Sequence, residues 1–168
     1  MLPTFKYIVL HHSATVDGRT NNWEAIRRYH TSWRYQGNII SEIEAAGRIK
    51  RGEAVEPPWD DIGYHFGIEL IGDKYQIMGG RSLDKMGAHA VGFNLKGIGV
   101  CLVGNFDRVP PCTAQWETAK NLCRDLKKHF STGLKIVGHR ETFTMRGVPV
   151  QKTCPGKAFD LERFRREV

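Results

Sequence analysis

The chain has 168 residues, a formal charge of +7 near neutral pH, and apolar and charged fractions of 40% and 26%. That length suits one domain and leaves no room for a second full one, and 18 glycines beside 7 prolines suggest many turns in a globular chain without low complexity. The positive charge favours anionic partners, but the basic residues are scattered apart from Arg163, Arg165 and Arg166, and no aromatic-interleaved basic stripe or nucleic-acid motif is present, so nucleic acid is not expected as a partner.

The run from Met1 to Lys6 leads directly into Tyr7 to Leu10, too short an apolar stretch for a secretory signal or a membrane span. The expectation is synthesis in the cytoplasm without a signal peptide, and no stable membrane insertion. Phe5 to Leu10 reads as a first strand that stops at the polar string His11-His12-Ser13. From Asn22 to Trp33, the apolar residues Trp23, Ile26, Tyr29 and Trp33 recur at helical spacing, with Gly37 helping to end the helix. Residues 37–58 combine Ser41-x-x-Glu44, in capping-box form, with Gly52 and the Pro57-Pro58 stop, which predicts a small extra helix on a loop.

Tyr64 to Ile71 and Lys74 to Met78, separated by Gly72-Asp73, read as a β-hairpin, and a further strand is expected from Ile98 to Val103. Thr113 suits the N-cap of a helix reaching Phe130, with Trp116, Ala119, Leu122, Cys123 and Leu126 as its core stripe. Leu134 to Val137 reads as a buried strand ending at Gly138-His139, and Asp160 caps a short terminal helix. Strands alternating with helices and hairpins imply a single three-layer α/β domain, a central mixed β-sheet flanked by helices, with its site in a cleft at strand ends. Cys101, Cys112, Cys123 and Cys154 form no CxxC pair, which fits a reducing compartment, and Cys101 and Cys123 read as core thiols.

Two predicted strands end in histidine, at His11 and His139, and Cys154 follows in a loop bounded by Pro149 and Pro155. Imidazole nitrogens and a thiolate are ligands that zinc prefers, and three protein ligands with an open fourth position form the usual catalytic arrangement. A second reading makes Cys154 a nucleophile with His139 or His11 as its base, and spacing leaves both open.

The ordered blocks Ile8-Val9-Leu10-His11-His12-Ser13-Ala14-Thr15, Trp59-Asp60-Asp61-Ile62-Gly63-Tyr64-His65-Phe66, Gly87-Ala88-His89-Ala90, Ile98-Gly99-Val100-Cys101-Leu102-Val103-Gly104, Gly138-His139-Arg140 and Lys152-Thr153-Cys154-Pro155-Gly156 span nearly the whole chain. In them the sequence resembles the type 2 N-acetylmuramoyl-alanine amidases, a family that includes phage endolysins, bacterial recycling amidases and animal peptidoglycan recognition proteins. The resemblance implies one zinc ion held by His11, His139 and Cys154, with His12 packing or hydrogen bonding beneath. It implies hydrolysis of the amide between the muramoyl lactyl group and L-alanine of peptidoglycan. Tyr64 would lie beside the metal water and Lys152 would stabilise the oxyanion. His89 and Asn94 would border the substrate groove, whereas His65, His30 and His129 read as structural.

Residues 37–58 are longer than the connection many relatives have before the Trp59 block, and are expected to insert beside the cleft as a lid or wall. The setting implied is a phage or prophage endolysin, acting as a monomer on peptidoglycan or muropeptide in the cell wall. The alternatives are a muropeptide-recycling amidase, in which aspartate is the commoner third ligand, and a non-catalytic peptidoglycan-binding module, which typically lacks the metal cysteine.

Overall fold

Side chains of a strand alternate between the two faces of its sheet, and that alternation organises this molecule. The computed structural model describes residues 4–16, 22–130 and 133–168, so the start of the N-terminal run lies outside them. In chain order the elements are β1 (Tyr7–His12), α1 (Trp23–His30), β2 (Arg34–Tyr35), β3 (Asn38–Ile39), α2 (Glu42–Lys50), β4 (Phe66–Ile71), β5 (Lys74–Gly79), β6 (Gly97–Leu102), α3 (Thr113–Phe130), β7 (Lys135–Gly138), α4 (His139–Met145) and α5 (Leu161–Glu167). Five strands form one sheet in the order β5-β4-β6-β1-β7, mixed because β5 runs antiparallel to β4 while the other pairs are parallel.

On one face Ile8, Leu10, Ile98, Val100 and Leu102 pack with Trp116, Ala119, Leu122, Cys123 and Leu126 of α3 and with Leu161 and Phe164 of α5. On the other face Val9 and Val137 meet Ala90 and Phe93, while Cys101 and Val103 meet Trp23 of α1. The expected α/β architecture with helices on a mixed sheet is therefore present. Among the described residues no helix is long and apolar enough to cross a membrane.

Several boundaries differ from the sequence reading for identifiable reasons. β1 does not stop at Leu10, because His11 and His12 pair in register with Cys101 and Leu102 of β6, and the ladder continues irrespective of side-chain polarity. Tyr64 and His65 precede β4 rather than opening it. Thr113 is the first helical residue of α3 rather than its cap, as Trp116 N donates to the Cys112 carbonyl. The sequence reading had no α4, and His139 is its first residue rather than the end of a strand. There Glu141 Oε2 accepts the Gly138 N–H at 2.8 Å, so a side chain just inside the helix ties down its entry.

α1 ends at His30 instead of reaching Trp33, and Arg34 accounts for the stop. Its side chain is buried, with Nη1 donating to the carbonyls of Tyr29, His30 and Ser32 at 2.9, 2.7 and 3.0 Å. Nη2 donates to the Pro57 carbonyl at 3.2 Å, and the guanidinium lies over the Tyr29 and Trp59 rings at 5.3 and 5.2 Å. A planar fork with several donors can serve so many acceptors at once, which an ammonium cannot. Gly37 (φ +80°), with Gln36 (φ +50°), instead turns the β2–β3 hairpin.

The segment 37–58 does contain a helix, α2, capped by Ser41 Oγ, which accepts from Glu44 N at 3.1 Å. Arg34 and its β-bridge with Glu56 hold both ends of this excursion against α1. Replacing Arg34 with Leu removes the side-chain donor to the Tyr29, Ser32 and Pro57 carbonyls, while the His30 carbonyl keeps the Trp59 N–H, and is expected to lower unfolding free energy by about 2–4 kcal/mol in urea denaturation. A loss under 1 kcal/mol would show that the anchor is dispensable.

Candidate metal centre and its cleft

The alternation of β1 separates its two terminal histidines. His11 points to the α1 face and His12 to the α3 face, where His12 Nδ1 accepts the Phe106 N–H at 3.1 Å. His12 therefore sits beneath the site, and its own backbone N–H donates to Cys154 Sγ at 3.4 Å. His11, His139 and Cys154 each direct one ligand atom to a common point, and those atoms lie within 4.8 Å of one another. Cys154 Sγ and His11 Nδ1 are 3.6 Å apart. Tetrahedral zinc with N and S bonds of about 2.0–2.3 Å needs ligand separations of about 3.3–3.8 Å. The trio thus fits such an ion with only a small closing movement.

Two sequence features bring the cysteine loop to the histidines. A Cβ at Gly138 would stand 2.8 Å from Pro155 Cδ, so glycine there lets the loop approach the end of β7. Arg140 then fastens it, with its backbone N–H donating to the Cys154 carbonyl at 2.7 Å and Nη1 donating to the carbonyls of Thr153 and Gly156 at 3.2 and 2.7 Å. On the far side Asp107 accepts from Thr153 Oγ1 at 2.7 Å and Lys157 N at 3.0 Å. The His139 ring stacks on Phe143 one helical turn along, at 5.4 Å between centroids. Sequence reading missed Arg140 and Asp107, although Arg140 stands inside the Gly138-His139-Arg140 block.

Burial lowers the pKa of His11 well below the ordinary value and that of His139 to about 4, so both rings are neutral at pH 7. The neighbouring His89 adds to the effect on His11, and Lys152 to that on His139. Burial pushes the Cys154 thiol up to about 12. An activated nucleophilic cysteine needs the opposite shift, so this environment speaks against the Cys–His reading.

The cleft around these residues has a volume of about 700 Å³ and is walled by Tyr29, His30, Arg34, Glu56 and Trp59 on one side and by Gln151, Lys152 and Thr153 on the other. Tyr64 lies at its floor, 5.0 Å from His11 between ring centroids and close to Cys101. Burial raises the Tyr64 pKa well above 10, which keeps its hydroxyl protonated as a donor. Lys152 is exposed at the rim. His30, read as structural, is part of the wall: its Nδ1 accepts from Gly63 N at 3.1 Å and its ring lies 4.5 Å from Trp59.

His89 borders the cleft, but both ring nitrogens have partners inside the protein, His11 Nε2 and the Gly97 carbonyl, each at 3.1 Å. Asn94 Oδ1 accepts from His89 N and Ala90 N at 2.9 and 2.7 Å. His65 is buried, with Nδ1 accepting from Gly99 N at 2.9 Å, and His129 lies in the last turn of α3.

The described geometry coincides with an outside likeness. A family model described as N-acetylmuramoyl-L-alanine amidase matches residues 2–157. An endolysin of Klebsiella phage KP32 is 34% identical over 114 residues, 65% of this chain and 67% of the phage protein. Peptidoglycan-recognition protein SC2 of Drosophila melanogaster is 31% identical over 130 residues, 76% of this chain and 65% of the fly protein. Among solved structures, a mutant of Drosophila PGRP-LB in complex with tracheal cytotoxin superposes with a TM-score of 0.62 at 27% identity, over 95% of this chain and 80% of that one. The chain belongs to the N-acetylmuramoyl-L-alanine amidase family.

Neutral histidines and a protonated thiol give metal uptake a defined pH dependence. Binding must displace the Cys154 proton, while the histidines, held neutral by burial, have none to lose. Between pH 5 and 6.5, below the ionisation of a zinc-bound water near ~7, apparent zinc affinity is expected to rise about tenfold per pH unit. Competition against a chromophoric chelator measures this. A flat profile would mean a thiolate already present without metal, and a slope of two or more would mean charged histidines.

Proposed function

We propose that the chain is one zinc amidase domain that hydrolyses the amide between the muramoyl lactyl group and L-alanine of peptidoglycan. The convergence of His11, His139 and Cys154 on one point at the bottom of an open cleft carries this reading, and the family membership supports it. Zinc bound there would supply Lewis acidity and a water ionising near neutral pH.

The chain's own residues complete the chemistry. The Tyr64 hydroxyl, kept protonated by burial, donates a hydrogen bond beside the reacting carbon. Lys152 at the rim brings a positive charge toward the carbonyl oxygen, where negative charge develops as the amide carbon becomes tetrahedral. Its cationic effect already reaches His139, adding to the lowering there, and Cys154, where it opposes the rise that burial causes. His89 and Asn94 border the groove beyond Lys152, where Asn94 offers its side-chain amide N–H to a muramoyl or peptide group while both ring nitrogens of His89 are engaged within the protein. The segment carrying Arg34 and Glu56 forms a fixed wall rather than a moving lid, since the Arg34 bonds tie it to α1.

The likeness to the Klebsiella phage endolysin supports a lytic role on the wall for a phage or prophage product. A positive net charge of +7 suits encounter with an anionic wall. The fly recognition protein among the relatives makes binding without cleavage the contrasting outcome.

Digestion of intact peptidoglycan and of soluble muropeptide, with mass identification of new termini, tests the assignment. Free N-terminal alanine with intact glycan is expected, lost with chelator and restored by zinc. New reducing sugars, or bound wall fragments without free peptide, would overturn it. Tyr64→Phe and Lys152→Met are each expected to lower kcat by about 10–1000-fold while zinc content stays at wild-type level. Loss of zinc in either variant would instead assign that residue to metal retention.

A further inference from the structure

A histidine can offer either ring nitrogen to a metal, and only a nitrogen without a proton binds. His11 Nδ1 faces Cys154 Sγ at 3.6 Å, and its Nε2 meets His89 Nδ1 at 3.1 Å. His89 Nε2 is 3.1 Å from the Gly97 carbonyl. A backbone carbonyl can only accept, so His89 carries its proton on Nε2 and presents a lone pair at Nδ1. His11 must then donate Nε2–H to that lone pair, which leaves His11 Nδ1 free on the side of Cys154.

We propose that His89 is the positioning residue that fixes the tautomer and ring plane of His11 for metal binding, with the Gly97 carbonyl anchoring the chain of hydrogen bonds. This inference rests on the zinc reading of the site. A metal-bound histidine ordinarily donates its second N–H to a carboxylate, a carbonyl or water. Here a neutral imidazole extends a backbone carbonyl to His11, which lies too far from it for a direct bond.

The surroundings are shaped to hold that ring. A Cβ at Gly99 would stand 2.6 Å from His89 Cδ2, and one at Gly87 would stand 2.5 Å from the same atom. Glycine at both positions clears the space, and Asn94 Oδ1 pins the backbone N–H groups of His89 and Ala90 from outside. The His89 and His11 ring centroids are 5.1 Å apart, and the 3.1 Å contact between them is nitrogen to nitrogen. The block Gly87-Ala88-His89-Ala90 is thus explained as a cradle for one imidazole.

Two measurements test the proposal. Long-range ¹H–¹⁵N spectra of the metal-free wild-type protein at pH 7 are expected to show both His11 and His89 protonated at Nε2. A proton on Nδ1 of either ring overturns the proposal without any variant having to fold. Zinc affinity, read by chelator competition, is expected to fall about 10–100-fold in His89→Phe, which keeps the aromatic bulk and removes the acceptor. His89→Asn, which keeps an acceptor oxygen near the position of Nδ1, is expected to recover most of that loss. If wild-type protein binds zinc and His89→Phe binds it equally well, this inference fails and the amidase reading stands. If wild-type protein takes up no zinc at all, the amidase reading fails first and this inference with it.

Discussion

Everything in the site depends on β1 being held on both sides by parallel neighbours, β6 and β7. A strand in that position cannot slip by one residue without moving its apolar set to the wrong face. Ile8 and Leu10 are committed to the α3 side and Val9 to the other, so the positions that follow have no freedom: His11 faces the cleft and His12 faces the core. The same register sets His11 beside Cys101 of β6, and Cys101 in turn lies against Tyr64. The placement of the first candidate metal ligand is therefore a property of sheet pairing rather than of local loop structure.

The other two ligands come from irregular or newly begun backbone, and they need other restraints. His139 is held by the entry into α4 and by stacking on Phe143. Cys154 lies in a loop with no ladder of its own, and its position comes from hydrogen bonds made by its neighbours. Arg140 binds the loop's carbonyls from one side, Asp107 binds Thr153 and Lys157 from the other, and the His12 N–H reaches the sulfur from beneath. The second histidine of the pair thus serves the candidate metal centre through the cysteine, although its ring points away. Such outer partners hold metal ligands in the geometry that the ion requires.

What was legible in the sequence divides along the same physical line. Periodicity gave the α3 stripe, the β4–β5 hairpin and the mixed sheet, because these elements bury regular apolar faces. The end of β1 was misjudged because strand pairing follows the backbone of the neighbour, which no property of His11 or His12 reports. α4 was missed because it is 7 residues long and carries little apolar pattern, its start being set by Glu141. The Arg34 anchor was invisible for a different reason. An arginine between Trp33 and Tyr35 gives no sign that its fork will collect carbonyls from a helix end and from Pro57, 23 residues away. Spacing proposed the His11, His139 and Cys154 trio and the ordered blocks singled it out, yet the partners that orient each ligand could be recognised only in three dimensions.

The electrostatic character of the centre follows from this construction. Its buried ionisable groups are imidazoles driven neutral and a thiol driven protonated, with no carboxylate in the ligand set. A carboxylate ligand would be charged before any cation arrived and would carry a large desolvation cost in a buried position. A thiol can remain neutral until a cation displaces its proton, which spares the buried position that cost. His89 suits this design better than an aspartate would, since it accepts the His11 N–H without adding negative charge. The buried Arg34 of the cleft wall is taken up by backbone carbonyls, and the other positive groups stay at the rim, with Lys152 exposed to solvent and Arg146 held by the Val91 carbonyl. Lys152 and Arg146 thereby avoid the cost of burial. Neutral interior and cationic rim together make the charge of the centre a consequence of what binds there.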